Sequence, residues 1–102
     1  LKLLHPELSH HPDQMAAVKQ MFHRVHDLQH QHICPLYLLG HDPRYGYFVV
    51  MKYLKGDTLA AYRKAFVARQ GSFPVSEVVR VLTPIAAALD AAHAAHVLHR
   101  DV

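Results

Sequence analysis

The sequence contains very little of what braces a small extracellular protein or anchors a membrane protein. Its 102 residues include one cysteine, Cys34, and no tryptophan. An internal disulfide is therefore excluded, and a reducing compartment is indicated. No apolar run approaches the roughly 20 residues that a membrane helix needs, and no signal peptide is recognisable. We expect a cytoplasmic protein, with a membrane anchor possible only outside this chain.

Clustered charge is also missing. Eleven lysines and arginines against eight aspartates and glutamates give a formal net charge of +3, and the basic residues are scattered along the chain. Nucleic-acid binding is usually marked by a basic cluster on one face, so we expect no nucleic-acid partner. Hydrophobic residues make up 51% of the chain and charged residues 19%, which is typical of a folded globular protein.

The two ends of the chain suggest a piece of a larger domain. There is no initiator methionine, the chain opens inside an apolar stretch at Leu1, and it stops abruptly at Val102. We expect an open sheet edge at Leu1–Leu4 and marginal stability for the chain alone.

Apolar periodicity predicts an α+β protein in which strands come first and helices follow. The predicted elements are a strand end, a helix, two strands and two helices: Leu1–Leu4, Asp13–Leu28, Ile33–Leu39, Tyr47–Tyr53, Leu59–Arg69, and a longer helix after Pro74 to about His93. Gly40, Asp42, Pro43 and Gly46 predict the turn between the two strands.

Buried faces and caps follow from the same pattern. Thr58 is the expected N-cap of the Leu59–Arg69 helix, and Gly71 its left-handed stop. The expected apolar stripe of the first helix is Val18, Met21, Phe22, Val25 and Leu28. That of the last helix is Val78, Leu82, Ile85, Leu89 and Ala92.

Three short segments carry the chemistry. They are Leu1-Lys2-Leu3-Leu4, the stretch YFVVMKYLKGDTL from Tyr47 to Leu59, and His99-Arg100-Asp101 after a long helix. Each has an ordinary interpretation by itself: a solvated lysine, a strand-to-helix crossover, and a surface loop with an Arg-Asp pair.

In this order and spacing, the three segments resemble the protein kinase catalytic domain, and the resemblance covers essentially the whole chain. It implies a partial kinase-like α+β fold. Residues 1–54 would form part of the N-lobe, with the family's third strand, helix C, fourth and fifth strands and hinge. Residues 55–102 would form part of the C-lobe, with helices D and E and the start of the catalytic loop. The sequences of the segments MKYLKGDTL, LTPIAAALDAAH and HRDV resemble those of bacterial Ser/Thr kinases of the eukaryotic-like type.

The resemblance implies catalytic roles for three residues in a transfer of the ATP γ-phosphoryl group to a protein hydroxyl. Asp101 would accept the proton of the substrate Ser or Thr hydroxyl, and Arg100 would meet an activation-loop phosphate. Lys2 would pair with the α- and β-phosphates of ATP. Mg²⁺ would act with ATP, but its ligands would lie outside this chain.

The resemblance also implies a nucleotide site along the hinge. Met51 would be the gatekeeper, and the Lys52 carbonyl and Leu54 N–H would hold adenine. Thr58 lies where the family approaches the ribose. A further set would contribute to the regulatory spine: Val25, Leu36 and His99.

One departure separates this chain from the family pattern. Helix C should carry a glutamate that pairs with the lysine, but Met21 stands there, with Gln20 and Phe22 beside it. Without that pair Lys2 lacks its usual anchor. Two alternatives to an active kinase remain open: a pseudokinase scaffold, which Met21 supports, and an unrelated small basic binding module, which the positive net charge suggests. We expect the 102-residue chain by itself to be catalytically inactive.

Eleven histidines invite a metal hypothesis. His23, His26 and His30 are spaced to share a helix face, and three imidazoles can ligate zinc. Neither cysteine nor carboxylate completes a closed site, so we favour a solvated helix face and no metal. Cys34 is expected to be a small buried hydrophobe.

Overall fold

The order of elements in the computed structural model, which describes residues 1–102, confirms the α+β prediction. Two helices follow a small sheet that has a helix inserted between its first and second strands. The elements are β1 (Lys2–Leu3), a short 3-10 helix (Pro6–His10), α1 (Pro12–Asp27), β2 (Leu36–Asp42), β3 (Gly46–Met51), α2 (Leu59–Gln70) and α3 (Val75–Ala94). No helix combines the length and apolar content needed to cross a bilayer.

The sheet is antiparallel throughout, with strand order β1-β3-β2. The prediction for β2 was wrong at both ends, because Ile33 lies in a turn and the strand runs through Gly40 to Asp42. Gly40 pairs directly with Phe48, and a Cβ on Gly40 would overlap the end of that ring. The absence of a side chain at Gly40 therefore lets the Phe48 ring lie across it.

The hairpin turn between β2 and β3 is shorter than the sequence predicts. It is closed by the Asp42 carboxylate, whose Oδ1 accepts hydrogen bonds from the N–H groups of Arg44 at 2.7 Å and Tyr45 at 3.0 Å. An aspartate that bonds to the backbone two and three residues later is a common way to stabilise a tight turn.

The packing of α1 against the sheet differs in detail from the predicted stripe. Met15, which the pattern did not single out, is the most buried residue of the chain at 4% exposure, whereas Met21 is 36% exposed. Val18, Phe22, Val25 and Leu28 are half-buried. The 3-10 helix packs against the start of α1, and β2 packs along it. Burial is therefore greater at the N-terminal end of the helix than sequence periodicity indicates.

The caps of α2 are those that the sequence predicts. The Thr58 hydroxyl oxygen accepts a hydrogen bond from the Ala61 N–H at 3.1 Å. Gly71 ends the helix in the left-handed conformation, at φ 83°. These contacts satisfy backbone groups that a helix end leaves without an internal partner. They define where the linker Lys52–Thr58 ends and the helix begins.

The predicted stripe of α3 is only half correct. Ala88 and Ala92 are buried, but Val78 and Leu82 are 36% and 48% exposed. The reason is tertiary: only the second half of α3 packs against the segment that follows α1, around a cavity of about 360 Å³. The first half turns its valines to solvent.

A polar cluster joins α2 to the exposed half of α3; we name Tyr62, Glu77 and Arg80 the α2–α3 clamp. The Tyr62 hydroxyl donates to the Glu77 carboxylate, and the Arg80 Nη2 donates to the Tyr62 oxygen at 2.9 Å. The Arg80 Nε donates to both Glu77 oxygens at 3.1 Å. Hydrogen bonds from Arg80 and then from Tyr62 lower the pKa of Glu77 to about 2.

The molecule is elongated. Its radius of gyration is 17.0 Å, whereas a compact domain of this length has about 13 Å. Its accessible surface is 8190 Å², against roughly 5,800 Å² for a compact monomer of this mass. Only five residues are buried, so much of the apolar surface of both halves stays exposed.

The backbone of His96 yields a stability prediction. Its φ of 61° lies in the left-handed region, where a residue with a Cβ costs about 1 kcal/mol or more. His96→Gly should therefore raise the free energy of unfolding by about 0.5–1 kcal/mol, measured by urea denaturation. His93→Gly, in the last turn of α3, is the matched control and should lower it by a similar amount. If both variants are less stable than the wild type, the backbone of His96 is not strained.

The α2–α3 clamp predicts an acid-dependent loss of stability. Because the folded-state pKa of Glu77 is about 2, below its ordinary value of 4.5, the clamp stabilises fully above about pH 4.5. Its contribution declines as the pH falls towards about 2. Urea denaturation between about pH 5 and pH 3 should show a smaller decline in Glu77→Gln than in the wild type. Asp90→Asn, an exposed position on α3 outside any ion pair, should keep the wild-type slope; an unchanged slope in Glu77→Gln would contradict the prediction.

Candidate functional site

The sheet places Lys2 on the face that α1 covers. Lys2 pairs directly with Val49 across β1 and β3, and direct cross-strand partners project from the same face of a sheet. Val49 lines a small apolar cavity of about 210 Å³ together with residues of α1, among them Met21 and Val25. Lys2 therefore stands on the same side of the sheet as Met21.

No carboxylate pairs with Lys2. The ion pairs of the structure are His5–Glu7 and Glu77–Arg80, and neither involves this lysine. The α1 side chains that line the cavity with Val49, Met21 among them, are all uncharged. The ammonium of Lys2 therefore lacks a protein anchor within ion-pair distance.

The linker offers an open backbone edge beyond β3. Met51 ends the strand opposite Leu36, and the Lys52 N–H extends the ladder by one bond to the Pro35 carbonyl at 3.0 Å. Beyond that the chain leaves the sheet, and the predicted continuation of the strand to Tyr53 was wrong, since Tyr53 is 82% exposed. The Leu54 N–H has no hydrogen-bond partner. A free N–H two residues from a carbonyl can pair with the polar edge of a flat heteroaromatic ring.

The interior side of this linker is occupied by Cys34. Its thiol lies 3.5 Å from the Lys52 carbonyl oxygen and 3.9 Å from that of Pro35. The residue is half-buried, so the prediction of a buried hydrophobe was incomplete. A thiol is a weak donor, and a carbonyl has two lone pairs, so the Lys52 oxygen keeps capacity for a second donor.

Thr58 closes the linker with a spare donor. Its hydroxyl oxygen is engaged as the acceptor of the α2 cap. The hydroxyl proton has no protein acceptor, so it is free to donate to a ligand at the start of α2.

The His99-Arg100-Asp101 segment lies at the end of a tightly wound loop after α3. The buried Val97 anchors this loop through a 2.8 Å bond from its N–H to the Ala92 carbonyl. The Asp101 N–H donates to Nδ1 of His99 at 3.1 Å. Arg100 has a φ of 69°, a left-handed conformation that costs energy in residues other than glycine and is concentrated at functional sites. The side chains of Arg100 and Asp101 are exposed.

Two neighbouring cavities connect the sheet with this loop. The 210 Å³ cavity is bordered by Leu36 and Val25, and the 360 Å³ cavity by Val25 and His99. The three residues expected in the regulatory spine, Leu36, Val25 and His99, therefore line two cavities that have Val25 in common. A polar contact runs alongside, from Nη1 of Arg24 to the carbonyl oxygen of His96 at 3.4 Å.

The remaining predicted site residues are distributed over three places. Lys2 and Met51 belong to the sheet, Lys52, Leu54 and Thr58 to the linker, and Arg100 and Asp101 to the terminal loop. No well-formed cavity joins Lys2 to Asp101. Their roles as the two walls of one nucleotide cleft stay predictions.

The histidines of α1 contribute to packing. Nδ1 of His26 lies 2.8 Å from the Leu36 carbonyl oxygen, and its ring stacks on Phe22 with centroids 5.6 Å apart. His26 is exposed, as the solvated face predicts, and its contacts also join α1 to β2. No three His, Cys, Asp or Glu side chains lie close enough to hold a metal ion.

Comparison with known proteins decides the family. The serine/threonine-protein kinase PknE of Mycobacterium bovis is 35% identical over 102 residues, which is 100% of this chain and 17% of the relative. PknD of Mycobacterium tuberculosis is 34% identical over 100% of this chain and 15% of its own length. The chain belongs to the bacterial serine/threonine protein kinases.

More distant kinase relatives match over the same span. PksC of Streptomyces coelicolor is 27% identical over 105 residues, covering 100% of this chain and 19% of that kinase. The chain thus spans less than a fifth of the length of these kinases. No protein-family model matches the chain, and no solved structure gives a significant match.

Proposed function

We propose that the full-length protein is an ATP-dependent serine/threonine protein kinase and that this chain supplies the middle part of its catalytic domain, from Lys2 to Asp101. The observation that carries the proposal is similarity along the entire chain to named Ser/Thr kinases. The chain ends in the His-Arg-Asp motif that this family uses for phosphoryl transfer. The substrates would be ATP and a protein bearing a Ser or Thr hydroxyl, met in the cytoplasm.

The linker is the part of the chain that fits a nucleotide. The free Leu54 N–H and the Lys52 carbonyl would hold the polar edge of adenine, beside Met51 at the end of β3. The donor proton of the Thr58 hydroxyl would meet the ribose. Bound there, the base would be flanked by the exposed apolar side chain of Leu54.

The charged groups would act on the phosphates and on the acceptor. Lys2 would supply positive charge to the α- and β-phosphates, and Asp101 would orient the substrate hydroxyl and accept its proton. Arg100 would contact a phosphate on an activation loop. Mg²⁺ neutralises phosphate charge in this family. The residues present do not form a group of three metal-binding side chains, so its ligands would come from outside this chain.

A pseudokinase is the second candidate, and one observation favours it. Met21 lies on the side of the sheet from which Lys2 projects, and no carboxylate pairs with the lysine. A lysine without its partner holds phosphate less well, because its flexible stem has many conformations. The full-length protein would then bind a partner or a nucleotide without transferring phosphate.

The role of Asp101 is tested in the full-length protein by transfer of radioactive phosphate from ATP. Asp101→Asn should lower kcat at least about 100-fold, since it removes a general base. Asp90→Asn, which changes an exposed carboxylate on α3, should leave kcat within about twofold of the wild type. If the Asp101→Asn variant transfers phosphate at the wild-type rate, the assignment of Asp101 is refuted. If the wild-type protein itself transfers no phosphate, the pseudokinase is favoured. The 102-residue chain alone should transfer no phosphate.

The missing carboxylate predicts a gain of function. Met21→Glu should raise kcat/KM for ATP about three- to fivefold, the effect of one partly exposed ion pair with Lys2. Met21→Gln, which has nearly the same shape without charge, should give no gain. The gain should disappear when Lys2 is also changed to Met. A gain that persists in the Lys2→Met background would show that the introduced carboxylate acts elsewhere.

A further inference from the structure

The α2–α3 clamp has no part in the chemistry proposed above, yet it adjoins the linker directly. The Tyr62 N–H donates to the Thr58 carbonyl at 2.9 Å, so Tyr62 lies on the first turn of α2. Its hydroxyl is held by Glu77 and Arg80, on the first two turns of α3. The clamp therefore grips α2 at the end where the linker arrives.

The clamp is the only polar connection between the two helices. No other side-chain or backbone hydrogen bond joins α2 to α3. An aromatic contact supports it, because Phe66 and Phe73 pack edge to face at 5.2 Å and each lies near 6 Å from the Tyr62 ring. Without these polar contacts, the aromatic contact of Tyr62, Phe66 and Phe73 would have to hold the angle between the two helices.

The three groups form a closed cycle in which each contacts the other two. Hydrogen bonds between a guanidinium and a carboxylate are directional and stronger than neutral ones. The Glu77 side chain is 14% exposed and that of Arg80 63%, so the carboxylate is the better enclosed partner. With its pKa held near 2, Glu77 stays ionised at every physiological pH. The clamp therefore stays charged at physiological pH.

The second helix of the clamp leads to the catalytic segment. α3 is 20 residues long, about 30 Å at 1.5 Å per residue, and the loop with Asp101 follows it. The N-terminal end of α3 is held to the start of α2, Pro84 lies in the interior of the helix, and the C-terminal end leads into the loop. The distance from the linker to that loop depends on how α2 is seated on α3.

We infer that Tyr62, Glu77 and Arg80 are positioning residues for nucleotide binding. They hold the linker Lys52–Thr58, with its Leu54 N–H and Thr58 hydroxyl, in a fixed place relative to α3. This inference rests on the proposed function, because it assigns the linker groups to ATP. None of the three clamp residues contacts the nucleotide.

The kinetic test uses Tyr62→Phe and Glu77→Gln in the full-length protein. Each should raise KM for ATP about threefold to tenfold, while kcat changes by less than about twofold at temperatures well below unfolding. The double variant should be no worse than either single one, because both break the same cycle. Arg63→Gln, an exposed neighbour on α2 without a hydrogen bond, is the control and should keep the wild-type KM.

A structural readout separates this inference from the proposed function. Hydrogen–deuterium exchange at the Ala61 and Tyr62 amides, which are bonded to Thr58 at the end of the linker, should be faster in Tyr62→Phe and Glu77→Gln than in the wild type, with exchange in β3 unchanged. If the wild type transfers no phosphate, the proposed function fails, and exchange alone then decides whether the clamp positions the linker. Exchange at these two amides equal to that of the wild type overturns the inference. So does an unchanged KM in an active enzyme, even if the melting temperature falls.

Discussion

An apolar seam between α3 and the segment that follows α1 is the interaction on which the two halves of the molecule depend. Ala88, Ala92 and Val97 are buried there and line one cavity with Val25 and Ile33. Outside this apolar seam and the Arg24–His96 contact, the halves are joined by the linker alone.

The features that were predicted correctly from sequence are those fixed by nearby residues. The caps at Thr58 and Gly71 depend on groups within one helical turn, and the order of elements depends on apolar period. The features that were predicted wrongly depend on distant partners. Gly40 resembles a turn residue until Phe48 is placed across from it, and the exposed stripe at Val78 and Leu82 resembles a core until the packing of α3 is known.

The candidate site divides in the same way. The motif His99-Arg100-Asp101 and the hinge-like stretch were recognised from their local amino-acid sequence. Their separation in space depends on how the lobes close. The α2–α3 clamp was missed entirely: an arginine three residues after Glu77 is visible in the sequence, but the third member, Tyr62, lies on another helix. Similarity to bacterial kinases fixes the family. The position of Met21 where the family pattern has a carboxylate stays a prediction from the sequence.

The large accessible surface of the folded chain affects how it would respond to heat and denaturant. Folding to 8190 Å² removes roughly one fifth less surface from water than folding to a compact shape would. Both the denaturant slope and the heat-capacity increment of unfolding scale with the surface newly exposed. An unfolding transition of this chain is therefore broad for its length, and its stability varies only weakly with temperature on either side of the maximum.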